Sequence, residues 1–323
     1  MTTTTSIETT GRGATSGASR VLHDPLPGTG YRALRRLGGG ASSEVYEAVG
    51  IDRARRAVKV LRSVFVDTPE AVHRLEQEGR ALAALDHPSL ARVVDVGTTV
   101  AGRPFFAMAL LEGETVRERL RRRGPIPAAE ACAIMISALE GLDAAHRAGV
   151  VHRDVKPGNL FLPRRAADAS SPRCVVLDFG IAKVLGAPGG RTTASSVLGT
   201  PRYLAPEQIL DGRIDARTDV YAAGLTLFEM ITGRAPFDAE APVDLMRAHL
   251  EVAPRRLREL LAVSPELDHA IARAVARAPA RRWPSARAFA AVLERAAGRE
   301  AERARALGAA AGFEAARAPA SSP

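Results

Sequence analysis

With 323 residues, 46% of them hydrophobic, the chain can bury a large core as one big domain or two lobes. Its formal net charge of +9 would suit a nucleic-acid partner. However, the arginines are scattered along helical stretches, aromatic content is 4% and no stacking or recognition-helix pattern stands out, so solvated helix faces explain the charge better. Cys132 and Cys174 lie far apart inside apolar runs, the seven histidines lack metal-type spacing, and no apolar run approaches the roughly 20 residues of a membrane span. The expectation is a cytoplasmic chain with reduced core cysteines and no nucleic-acid or membrane partner.

Residues 1–30 have no basic-then-apolar layout and are rich in Thr, Ser and Gly, which predicts a disordered segment rather than a secretory signal. From Tyr31 to about Gly113 come short β-type runs, "YRALRRLG", "SEVYEAV", "RRAVKVLR", "LARVVDVG" and "PFFAMAL", around one helical stretch from Glu70 to Leu85. That pattern predicts a small sheet with a single helix. From Thr115 onward helices dominate: Ala128 to Arg147, Thr218 to Thr232, Val243 to Glu251, Pro265 to Ala276 and Ser285 to Ala297. Strand-like pieces remain only in the apolar runs flanking "HRDVKPGN" and at "RCVVLDFG". The Ala- and Arg-rich tail 298–323 extends the last helix and frays at "APASSP".

Only three of the 45 cationic residues are lysines: Lys59, Lys156 and Lys183. An ammonium suits a phosphate oxygen or a reacting group differently from a guanidinium, so the rare residue marks chemistry. The loop "LGGGASSEV" between two strands could bring its backbone N–H groups against a phosphate, although a glycine cluster there is more often an ordinary turn. Strand alternation places Ala57, Lys59 and Leu61 on one face and Val58 and Val60 on the other. On the helix 70–85, Glu78 shares the apolar stripe of Val72, Leu75, Leu82 and Leu85. A carboxylate on a buried face needs a cation, and Lys59 is the candidate; the alternative is a Glu at the stripe's edge reaching water.

These pieces, together with Asp154, Lys156 and Asn159 in "HRDVKPGN" and with "DFG" at 178–180, follow the order of the protein-kinase signatures. Over Tyr31 to about Arg295 the chain resembles the bacterial branch of the eukaryotic-like serine/threonine protein kinases, with "AVKV", "GTPRYLAPE", Asp219 in "TDVYAAG" and Arg282 in "RRWPSA" completing the match. The resemblance implies an α+β, bilobal fold: an antiparallel-sheet N-lobe with one helix at about 31–108, a hinge at about 109–113 and a larger, mainly helical C-lobe at about 114–297.

It also implies roles. ATP would lie against Leu37, Gly38, Gly39, Gly40, Ala41, Ser42, Ser43, Val45, Ala57, Lys59, the gatekeeper Met108 and backbone groups of Ala109 and Leu111. Lys59 would hold the α- and β-phosphates with Glu78 fixing it, and Asp178 and Asn159 would hold Mg²⁺, with Mn²⁺ as the alternative metal. Asp154 would accept the acceptor's proton, and Lys156 would neutralise the migrating phosphoryl group. His152 and Phe179 would stack behind the site, Asp219 would anchor the catalytic loop, and Glu207 would pair with Arg282, all structural roles. Thr200 and the spacing of Lys156 from Asp154 imply Ser/Thr acceptors on protein substrates. Arg153 would read a phosphate placed on Thr192, Thr193, Ser195 or Ser196, with the chain itself as a substrate in trans.

The chain departs from the family pattern at three points. Ser43 replaces the third loop glycine and stiffens the tip, Ala109 replaces a common acid at the first hinge position, and Gly158 replaces a Glu common in kinases that prefer basic substrates, which removes any expected preference for Arg. The alternative function is a nucleotide-binding pseudokinase scaffold, which would be expected to lack at least one of Lys59, Asp154 and Asp178; all are present. No sensor domain lies within the 323 residues, so the expected signal enters through the kinase domain, its short tails or a separate partner.

Overall fold

Apolar and polar residues alternate along Arg55–Leu61, and the computed structural model turns that alternation into the centre of a two-faced sheet. The structure describes residues 26–39, 43–62, 79–164, 172–179, 201–237, 239 and 241–317, with side chains up to 306. Strands β1 (Arg32–Gly39), β2 (Ser43–Val49), β3 (Arg55–Leu61), β4 (Val93–Thr98) and β5 (Pro104–Ala109) form an antiparallel sheet in the order β1-β2-β3-β5-β4. Val58 and Val60 are fully buried on its outer face against Leu26, Ala48, Phe105 and Ala107. The register Val45↔Lys59↔Phe106 puts Lys59 on the inner face, where Leu61 and Phe106 join the main core, as the alternation predicts. Of the predicted helix 70–85 the described part is 79–85, of which 79–83 is helical, and Leu82 enters the core from it.

The second lobe is helical: α1 (Val116–Arg123), α2 (Ala128–Arg147), α3 (Pro206–Ile209), α4 (Ala216–Thr232), α5 (Pro242–Glu251), α6 (Pro265–Ala274) and α7 (Ala286–Arg317). Helix α4 is apolar on every side and passes through the middle, with thirteen of its residues buried. At Gly224 it approaches α6 so closely that a β-carbon would lie 2.8 Å from Val275 and 2.9 Å from Ala274. Helix α2 packs along α7 and contributes Cys132, Met135, Leu139 and Leu142 to the same core. Cys132 and Cys174 are both free and fully buried, and burial pushes the Cys132 thiol up to about 12.

Three details differ from the sequence reading. Helix α1 was not predicted: it is too polar to show apolar periodicity, and its signal is the capping box in which Thr115 and Glu118 bond each other's backbone N–H. Helix α6 stops at Ala274, short of the predicted Ala276, whereas α7 continues past Ala297 to Arg317, as the reading of the tail expects. The apolar pair Val150–Val151 is not a strand; only the run after the loop is, as β7 (Leu160–Pro163), which pairs with β6 (Gly113–Thr115) and the two-residue β8 (Val175–Val176). The described residues thus make an α+β, bilobal molecule with the small sheet β6-β7-β8 where the lobes meet.

Candidate active site

Residues 150–156 have no regular secondary structure between α2 and the short turn Pro157–Asn159, so their backbone groups need partners from elsewhere. Asp219, in the first turn of α4 and fully buried, supplies them. Its Oδ2 accepts from His152 N at 2.8 Å and its Oδ1 from Arg153 N at 2.7 Å, while His146 Nε2 of α2 lies 2.7 Å from Oδ2. Burial acts to raise the Asp219 pKa, but the hydrogen bond and charge of His146 and the backbone N–H of His152 outweigh it and hold the carboxyl below its usual range. From the other side, Gln208 of α3 donates to Arg153 O at 3.0 Å. Arg153 takes the left-handed backbone conformation at φ 65°, unusual for a non-glycine residue and held here by bonds on both its amide and its carbonyl.

The fixed loop presents Asp154, Lys156 and Asn159 together. Lys156 Nζ lies 2.6 Å from Asp154 Oδ2, and Asn159 Nδ2 donates to Asp154 O at 2.9 Å and to its Oδ2 at 3.1 Å. Behind them His152 is fully buried, with Nε2 bonded to Leu177 O at 2.8 Å and Nδ1 accepting from Asp154 N at 3.2 Å. That pattern fixes one neutral tautomer, and burial lowers the pKa in the same direction. The ring also stacks on Phe179 at 4.6 Å.

Leu177 N donates to Asn159 O at 2.8 Å, which ties the segment carrying Asp178 to the loop. Asp178, itself at φ 51°, pairs with Lys59 Nζ at 3.1 Å across the cleft. The structure therefore shows Lys59 with a carboxylate partner, Asp178; the expected partner Glu78 lies outside the described residues. A small cavity of about 30 Å³ opens behind this pair among Leu61, Leu82, Val93, Phe106, Met108 and Phe179.

Of the expected nucleotide-contacting residues, Leu37, Gly38 and Gly39 end β1, Ser43 and Val45 lie on β2, and Ala57, Met108 and Ala109 follow on β3 and β5, with Leu111 just beyond. The Ala109 N–H is already bonded to Arg92 O at 3.1 Å. Gly40, Ala41, Ser42, Thr192, Thr193, Ser195, Ser196 and Thr200 lie outside the described residues.

Further back, Arg282 and Glu207 meet in a buried two-point ion pair, with distances of 2.6 and 2.8 Å. Arg282 is 1% exposed, and its remaining donors reach the carbonyls of Arg217, Ala276 and Arg277, so every charge in the pair is answered. Its guanidinium also covers the Tyr221 ring at 4.6 Å. The sequence reading did not single out His146, Gln208, Arg117, Tyr203 or Glu229, although each braces the loop or its rim. For His146 a signal existed: a histidine in the last turn of a helix six residues before the loop's own histidine.

Comparison with known proteins agrees with this arrangement. Residues 31–291 match the protein kinase domain family. The chain is 39% identical over 272 residues to the serine/threonine-protein kinase Pkn1 of Myxococcus xanthus, an alignment covering 82% of this chain and 38% of that protein. It is 36% identical over 282 residues to the serine/threonine-protein kinase PknL of Mycobacterium tuberculosis, covering 86% of this chain and 68% of that protein. The crystal structure of the M. tuberculosis PknI kinase domain superposes with a TM-score of 0.68 at 30% identity, covering 86% of this chain and 99% of the other. The chain spans little more than a third of one of these curated relatives and about two thirds of the other. The chain belongs to the protein kinase family, alongside the bacterial serine/threonine kinases.

Proposed function

We propose that the chain transfers the γ-phosphoryl group of ATP to Ser or Thr hydroxyls of proteins. The observation that carries this reading is the convergence of Lys59, Asp178, Asn159, Lys156 and Asp154 in one cleft, through contacts of 2.6–3.1 Å. A pseudokinase reading draws no support from a site with all of these groups in place.

The donor set fits a hard cation. Asp178 offers carboxylate oxygens, and Asn159 spends its amide N–H₂ on Asp154, which directs its carbonyl oxygen to other uses. Two such oxygens, completed by substrate phosphates and water, suit Mg²⁺, with Mn²⁺ as the alternative. When bound, the metal would neutralise phosphate charge. Lys59 would bind the α- and β-phosphates, and adenine would meet the Ala109 carbonyl, because the Ala109 N–H is engaged, together with backbone of Leu111.

Asp154 would orient the acceptor hydroxyl and take its proton at the carboxylate as the new O–P bond forms and the bond to the ADP oxygen breaks. Lys156, held against Asp154, would place its ammonium beside the transferring group. Catalysis by these residues is positioning and electrostatics.

We place the catalytic unit at 31–297 and regulation on 183–207. A phosphate on Thr192 or Thr193, added in trans by a second copy, would pair with Arg153 and order the segment. Among the described residues no helix is long and apolar enough to cross a membrane, and two buried free thiols fit a reducing cytoplasm. The test is transfer of label from γ-labelled ATP to a generic Ser/Thr protein by the purified chain, beside an Asp154→Asn control. Label transfer that survives unchanged in the control would refute the assignment.

A further inference from the structure

Beside the loop that would position the acceptor lies a charge arrangement that phosphate chemistry does not use. Gly158 sits in the turn next to Asn159, the residue whose amide grips Asp154. A β-carbon on Gly158 would lie 3.5 Å from Arg117 Nε, so the Arg117 side chain reaches over the bare glycine. The Arg117 guanidinium then donates to the Tyr203 hydroxyl at 3.2 Å, and that hydroxyl in turn donates to Glu229 at 2.5 Å. Arg117 therefore bridges the catalytic loop and the segment Pro201–Tyr203. Glu229 is committed to the tyrosine, and among the described residues Arg117 has no carboxylate within ion-pair distance.

The rest of α1 strengthens this positive rim. Its sequence VRERLRRR carries one acid, Glu118, which is spent on the Thr115 cap. Arg122 is paired with Glu114, but Arg121, one turn on from Arg117 along the same face, is exposed.

We infer, building on the kinase reading above, that Arg117 selects acceptor peptides carrying an acidic side chain within a few residues of the phosphorylated Ser or Thr. Gly158 lies in the same loop as Asp154, beside the Asn159 that grips it, and on this inference a peptide whose hydroxyl reaches Asp154 passes along Gly158; two or three extended residues cover about 7–10 Å toward Arg117. A glutamate there gains a charge-assisted hydrogen bond from a half-buried guanidinium, whereas an arginine meets like charge. The preference comes from this chain's pairing of a bare glycine with an arginine that reaches across it.

Steady-state phosphorylation of peptides that differ only by Glu, Gln or Arg at each of the four positions on either side of the acceptor tests the inference. The expected result is a kcat/KM about tenfold higher for the best Glu peptide than for its Arg counterpart, mostly in KM, with the gap shrinking at high salt. Arg117→Lys should keep the order, and Arg117→Glu should reverse it. Gly158→Glu, which sets a carboxylate against Arg117, should erase it, with a melting curve for each variant to confirm folding. Equal use of Glu and Arg peptides by the wild-type chain, or an unchanged acidic preference in Arg117→Glu, would overturn the inference while leaving phosphotransfer standing. No transfer to any peptide would overturn both.

Discussion

The acceptor side of the cleft and its nucleotide side are built differently. On the acceptor side the backbone of His152 and Arg153 hangs from a fully buried carboxylate, and the His152 ring is bonded at both nitrogens. On the nucleotide side Lys59 and Asp178 answer each other across the lobes, their side chains 15% and 31% exposed. In one half the backbone is held by groups that would never meet substrate; the other is held by the groups that would. The backbone leading into Asp154 is thus set by the fold, whereas geometry around phosphate depends on charges that substrate and metal would compete for.

The largest expected effect tests that division directly. Asp154→Asn should lower transfer about 10²–10⁴-fold and leave nucleotide affinity unchanged. Asp178→Asn should also abolish transfer, but with a large loss of Mg²⁺-dependent nucleotide binding, read by titration with and without the metal. If both variants lost nucleotide binding equally, the two sides would not be separable. Next, Lys59→Arg should be as damaging as Lys59→Met, because a planar fork cannot take the place of an ammonium between a carboxylate and two phosphates. Full activity in the Arg variant would show that any cation serves.

A stability effect of similar scale is expected far from phosphate. Arg282→Ala strands Glu207 in the interior with Thr218 as its remaining side-chain partner, and urea unfolding should show a loss of about 3–5 kcal/mol. A change under 1 kcal/mol would mean that water reaches the carboxylate.

The smallest expected effect is on pH. Burial lowers His249 from its ordinary 6.5 to about 4, against the opposing carbonyls of Pro201 and Arg202, and burial also lowers His152. The unfolded chain therefore takes up these protons first, and stability present above about pH 6.5 is lost as pH falls toward 4. His249 alone should cost about 2 kcal/mol by pH 5. Asp219, shifted down, adds to the loss only toward pH 4, where the unfolded carboxyl begins to take up its proton. Denaturation at pH 7.5 and 5 should show the loss, and His249→Gln should shrink it.

The candidate site was legible in the sequence because phosphate and proton handling admit few residue types: of three lysines among 45 cations, two lie in the cleft. Strand β3 was legible because Val58 and Val60 alternate with Lys59, and β5 because it is apolar throughout. What escaped was marked weakly or not at all in the local sequence. Helix α1 is a solvent-facing run of arginines whose only mark is its cap, and the partners His146, Gln208 and Arg117 act across 73, 55 and 86 residues of chain. The ion pair of Lys59 with Asp178 spans the two lobes in the same way and is invisible until the chain is folded.

The anchoring of residues 152 and 153 has a consequence for amide exchange with solvent. Loop amides usually trade their hydrogens quickly, since local fluctuations bare them to water. Here the two N–H groups end on a carboxylate in the first turn of a helix that is buried on all sides, so they come free only if that helix lets go of the loop. In deuterated buffer their hydrogens should persist as long as those in the middle of α4, giving a stretch of irregular backbone the protection of the core.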